Sequence, residues 1–141
     1  MKKLLLILLL LPIFATAQYK VQPLPVGLMF ISGAGKGTAD YLQFHYEGKS
    51  QFWQPDISWK NKWKNGDPAQ GEKFPGSSTL FVCTTDGWHM CNMIHKTALV
   101  GVITLKIGAK KKPFRYYVYD FLIYSAAYSA GFVVTYELFP K

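Results

Sequence analysis

Residues 116–139 read YYVYDFLIYSAAYSAGFVVTYELF, and whether this stretch is strand or helix decides the fold. Tyr116, Tyr117, Val118, Tyr119, Val133, Val134 and Thr135 favour strands, because β-branched and aromatic side chains suit a pleated surface. Between them Ser125, Ala126, Ala127, Ser129, Ala130 and Gly131 form a run of small residues. Ala127 and Gly131 have the small-xxx-small spacing that lets two helices approach closely. The reading adopted is a helix over 116–139. Its uncharged part, Phe121 to Tyr136, is 16 residues long, slightly under the ~20 that span a bilayer unless the flanking tyrosines extend it.

Working backwards, residues 106–115 (KIGAKKKPFR) form a basic turn carrying Lys106, Lys110, Lys111, Lys112 and Arg115. Such a cluster beside an apolar segment reads as a positive-inside flank, or as a surface turn that meets anionic headgroups. Residues 79–105 (TLFVCTTDGWHMCNMIHKTALVGVITL) read as a long helix or a bent pair, with Ser77 or Ser78 as its N-cap. With 116–139 this segment could form a hairpin. Upstream, a helix can run within Val26 to Tyr46, best supported from Thr38 to Tyr46 with Thr38 as cap. Gly27, Gly33, Gly35 and Gly37 weaken it but allow close helix packing. Residues 18–25 (QYKVQPLP) read as an entry strand or linker. The expected fold is therefore mostly α: a small, membrane-associated helical bundle or hairpin. A long Trp- and Lys-rich loop over 47–78 is laid across it, all in one domain from 18 to 141.

Composition bounds the rest. The chain has 141 residues, 50% hydrophobic and 17% charged, with a net charge of +8. That is one domain's length, and too apolar for a disordered chain. Residues 1–17 (MKKLLLILLLLPIFATA) have the plan of a secretory signal peptide: a lysine n-region, a short apolar core, and Ala15-Thr16-Ala17 as the cleavage signal. Removing it takes Lys2 and Lys3 and lowers the charge from +8 to +6. The expected location is thus the bacterial inner membrane or periplasm. Export permits a disulfide between Cys83 and Cys91. On one continuous helix, however, their Cα atoms would lie ~12 Å apart, beyond the ~7 Å a bridge tolerates. Two free, buried thiols are expected; a bridge would instead require a bend near Gly87.

Four groups of residues could carry chemistry. SGAGKGT (32–38) resembles the end of a P-loop, but Phe30 stands where the first glycine is needed and Gly37 where Ser or Thr is. No nucleotide partner is expected, and the alternative is a glycine-rich helix face. His45, Asp86 and His89 could bind a divalent metal such as zinc, or act as a catalytic acid/base set with an orienting carboxylate. Asp86 and His89 stand three apart, on one helical face. The competing reading is a hydrogen-bonded network that ties two helices. Trp53, Trp59, Asn61, Lys62 and Trp63 mix aromatics with lysine and amide groups. Such a set suits a membrane interface, a glycan platform, or plain loop packing. Basic charge among aromatics also suits nucleic acid, which export disfavours.

Some of these residues carry a resemblance. Gln51 to Lys62 (QFWQPDISWKNK), Asn65-Gly66-Asp67, Phe74 to Thr79 (FPGSST) and Thr85 to His89 (TDGWH) resemble a family of small, functionally uncharacterised bacterial envelope and membrane proteins. That family has the form FW-x-P-x-x-SW-x-NK, then F-x-GS-[ST]-T, then TDG-x-H. Phe44-His45-Tyr46 looks like its FHY element, and the likeness covers about residues 28–95. It implies that these polar and aromatic positions belong together in a membrane-associated helical protein. The stretch between FHY and FW is short in this chain, which weakens any contact carried over to residues 47–51. The functional expectations are a membrane-associated protein with a structural or interaction role, meeting lipid and an envelope protein partner; a hydrolase acting on a lipid or envelope substrate through His45, Asp86 and His89; or a periplasmic glycan-binding module.

Overall fold

The computed structural model describes residues 19–137; the leader expected at 1–17 lies outside them. Three helices dominate: α1 (Pro23–His45), α2 (Gly87–Ile107) and α3 (Phe114–Glu137). Among the described residues there is no named strand, only an isolated antiparallel bridge between Trp63 and Glu72. The chain is mostly α, and it forms a small helical bundle.

Residues 116–137 are helical as expected. α1 takes up the longer range from Val26 rather than the part from Thr38 alone: it begins at Pro23, fifteen residues before Thr38, and ends at His45. Pro23 and Pro25 do not make an entry strand. They sit in the first turn of α1, where a missing N–H costs nothing and a fixed φ suits the helix. Thr38 is therefore in mid-helix and caps nothing. Its hydroxyl donates back to the Ala34 carbonyl at 2.9 Å.

The glycines of SGAGKGT explain how α1 can be central. Positions two apart on a helix face opposite ways, so Gly33 and Gly37 share one side and Gly35 takes the other. A Cβ on Gly33 or Gly37 would overlap the backbone of Tyr128 or Phe132 in α3. A Cβ on Gly35 would lie 2.9 Å from the Cys91 carbonyl and from the His95 amide in α2. From α3, Gly131 returns the fit against Phe30 and Ala34. Thr135 then donates to the Ala34 carbonyl at 2.9 Å. On the other side the buried Ser32 hydroxyl joins His95 Nδ1 at 2.9 Å and donates to the His95 carbonyl at 3.1 Å. Helices this close gain many small dispersion contacts and offset the glycine entropy cost.

α2 starts at Gly87 rather than near Thr79. Asp86 is its N-cap and accepts from the His89 amide at 2.9 Å. Ser77, expected as the cap, is fully buried in the loop and donates to the Lys62 carbonyl at 2.8 Å. The irregular region therefore runs from Tyr46 to Asp86, longer than the 47–78 expected, with single 3-10 turns at Pro55–Ile57, Lys64–Gly66, Pro68–Gln70 and Val82–Thr84. Its turns use backbone only glycine and asparagine take readily: Asn65 has φ 52° and Gly66 φ 74°. A small core closes this end of the bundle. Ala39, Leu42 and Cys91 are buried there, with Tyr46, Trp53 and Trp88 packed against them.

The two cysteines are free, as expected, but only Cys91 is buried; Cys83 is partly exposed. The continuous helix behind that expectation is not what forms: the chain bends at Asp86-Gly87, and the thiols stay unpaired with Cys83 in the Val82–Thr84 turn and Cys91 in α2.

Candidate functional site

Asp86 and His89 come together as the spacing suggests, although Asp86 caps the helix instead of lying within it. The Asp86 carboxylate is fully buried, 0% exposed. One oxygen, Oδ1, accepts from the His89 amide. The other, Oδ2, lies 2.6 Å from His89 Nδ1 and accepts from the Thr85 hydroxyl at 2.9 Å. A carboxylate on Nδ1 fixes the proton there and leaves Nε2 with its lone pair free. The His89 side chain is partly exposed and borders a cleft of about 340 Å³. The cleft lies between α2 and the turn that precedes it, and Leu80, Val82, Cys83, Asn92, Met93 and Lys96 share its wall. His89, Asn92, Met93 and Lys96 follow a 3–4 spacing, so one stripe of α2 forms one side.

His45 does not join this pair. It ends α1, and its Nε2 lies 2.9 Å from the Tyr136 hydroxyl of α3, with the two rings 5.3 Å apart. Among the described residues no three His, Cys, Asp or Glu side chains gather to hold a metal ion. The metal set expected from His45, Asp86 and His89 therefore does not form. Helix length places His45 in the contact with α3, and Asp86 already occupies one nitrogen of His89.

The Trp/Lys loop divides its residues between inside and outside. Trp53 turns inward onto the core, and its ring covers Gly87 so closely that a Cβ there would overlap it. Trp59 faces out at 51% exposure, with Lys60 Nζ 5.1 Å from its ring centre. Lys62 sits 5.5 Å over Trp63. Asn61 is half-buried, and the Lys62 carbonyl accepts from the Lys73 amide at 3.0 Å. Trp53 and Trp59 thus do not share one exposed platform.

A second polar centre escaped the sequence reading. Asp120 of α3 is buried. It accepts from the Tyr19 hydroxyl at 2.5 Å, from Lys112, and from Lys106 at 3.5 Å. Lys106 also reaches Gln22 at 2.5 Å. Burial, and then the Asp120 carboxylate, push the Tyr19 phenol well above its ordinary range. The basic turn is therefore only partly a free positive flank: two of its lysines are tied to Asp120, while Lys110, Lys111 and Arg115 remain exposed. The signal was present in the sequence, since Asp120 is the one acidic residue between Arg115 and Tyr136.

The chain matches no protein-family model, no curated protein and no solved structure.

Proposed function

We propose that this protein is a small membrane-associated bundle of the bacterial cell envelope, with a structural or interaction role at the lipid surface. The observation that carries the reading is the inverted distribution of side chains. Helix contacts are made by small and polar groups: Ser32, Gly33, Gly35, Gly37, Ala39 and Gly131 are buried. Large apolar groups lie outside. Phe114 and Ile107 are each 81% exposed, Phe44 69% and Phe121 68%. A soluble bundle buries such residues, whereas lipid accepts them and helices there associate through small residues. α3 is the one described helix long and apolar enough to cross a membrane, and only 11% of its apolar window is buried. The basic turn precedes it, where lysines meet anionic headgroups. The leader-like residues 1–17 favour export to the envelope.

Alkaline carbonate extraction of membranes from cells making the full chain tests this reading. The protein is expected in the pellet with the lipid. Recovery in the soluble fraction, as a monodisperse species without detergent, would overturn it.

A further inference from the structure

We propose that Asp86 and His89 form a general acid/base centre that hydrolyses a carboxylic ester carrying an apolar acyl chain, seated in the cleft beside α2. The inference goes beyond the membrane reading and stands apart from it: an esterase could work with the bundle in lipid or out of it.

The site has the parts such a reaction needs. The base must be an imidazole with a fixed tautomer. The buried Asp86 carboxylate supplies this through Nδ1, and Nε2 makes no hydrogen bond among the described residues. The carboxylate is itself held by Thr85 and by the His89 amide, so its direction does not depend on the ring it orients. The cleft next to it has room for a small ester and an apolar wall of Leu80, Val82 and Met93 for the acyl chain. One turn along α2, Asn92 gives one amide hydrogen to the Trp88 carbonyl at 3.0 Å and keeps a second. That hydrogen, with the Lys96 ammonium one turn further, can meet the negative oxygen that develops on the ester carbonyl.

The chemistry balances with water as the only co-reactant. Water gives a proton to His89 Nε2 as its oxygen bonds to the acyl carbon. The carbon–oxygen bond to the alcohol then breaks, and the imidazolium returns the proton to the leaving alkoxide. Ester and water become acid and alcohol, and His89 ends as it began. Asp86 is a positioning residue, because it acts through His89.

The test uses the purified full chain in neutral detergent with p-nitrophenyl acetate, butyrate and octanoate. Turnover above that of heat-denatured protein is expected, rising with acyl length. His89→Ala should lower the rate at least ~100-fold, the usual share of an acid/base group, and added imidazole should restore part of it. His89→Gln, which can still donate to Asp86, should fold and be equally inactive. Asp86→Asn keeps the helix cap but presents an N–H donor to Nδ1, which moves the ring proton to Nε2. That variant should melt like the parent and lose at least ~10-fold in rate. Cys83→Ala changes the cleft wall but should still turn the esters over, because the attacking group is water and not the thiol. The proposal is overturned if no ester is turned over, if His89→Gln leaves the rate unchanged, or if Cys83→Ala abolishes it and places the attack on the thiol.

Discussion

Gly131 of α3 lies against the backbone of α1 so closely that a Cβ on it would sit 2.9 Å from the Ala34 nitrogen and overlap the Phe30 carbonyl. Neither backbone atom can turn aside. Gly131→Ala should force the helices apart and cost ~2 kcal/mol, within the range for overpacked contacts. Gly33→Ala, which meets Tyr128 from the other side, should do the same. Gly27 is the internal control. It lies in the same α1 helix with nothing within 4 Å of a Cβ, so Gly27→Ala should stabilise by ~0.5–1 kcal/mol. Thermal melts in one detergent, compared across the three variants, check the ranking.

Asp120 gathers Tyr19, Lys106 and Lys112 and so fastens the start of the described chain, the end of α2 and the start of α3 at one point. Asp120→Ala leaves the Lys112 ammonium and the Tyr19 phenol without their acceptor, while Lys106 keeps Gln22. A loss of ~2 kcal/mol is expected, the usual scale for hydrogen bonds to a charged group. Asp120→Asn should recover a minor part, because it keeps an acceptor without the charge. Hydrogen exchange should localise the loss to residues 19–25 and 104–120.

Glu72 fastens a turn of the loop. Its carboxylate accepts from the Ser78 hydroxyl, from the Gly76 amide at 2.8 Å and from the Ser78 amide at 3.2 Å. The Ser78 hydroxyl, followed by the Gly76 amide, lowers its pKa below the ordinary 4.5. A carboxylate depressed in the folded state contributes stability that is complete above its unfolded value and is lost as pH falls through the folded one. Protease nicking within 72–78 should therefore be slow at neutral pH and rise as the medium is acidified below 4.5. Glu72→Gln should show the faster nicking at every pH.

Gly87 and Trp53 test the junction between loop and bundle. The Gly87 amide donates to the Phe52 carbonyl at 2.7 Å while the Trp53 ring covers its Cα. Gly87→Ala should lift the indole from the core and cost ~1–3 kcal/mol. Tryptophan emission should shift to longer wavelength, and a Trp53→Phe background should remove that shift.

Several of these features were legible in the sequence, and the failures have physical reasons. The strand-or-helix question falls to helix over 116–137 because a run of Ser, Ala and Gly seeks another helix, which neighbouring valines and tyrosines do not prevent. Its start lies two residues earlier, at Phe114, and residues 138 and 139 fall outside the described residues. The sequence supports chiefly the end of α1, because Pro23, Pro25 and four glycines each count against a helix locally. Their compensation lies in α2 and α3, which local propensity does not register. Ser77 and Ser78 offer an N-cap for α2 in the sequence, yet Asp86 holds that place. Free thiols were expected from a continuous helix, and they are free on either side of a bend. Asp86 and His89 were found because their spacing is local. The place of His45 is not legible locally, because its partner, Tyr136, is ninety-one residues away.

Asp86 divides its two oxygens between jobs that different residues could do singly. Serine, threonine or asparagine could cap α2 at this position, and glutamate could supply charge, but its longer arm would displace either the cap or the contact with Nδ1. Every residue tried at 86 can therefore be scored twice, once for helix stability and once for imidazole alignment. A saturation library read by both should fall into two clouds: well-folded variants with an idle histidine, and poorly folded ones. The aspartate stands alone at the corner where both scores are high, so the first turn of α2 cannot be redesigned for stability without also choosing what His89 can do.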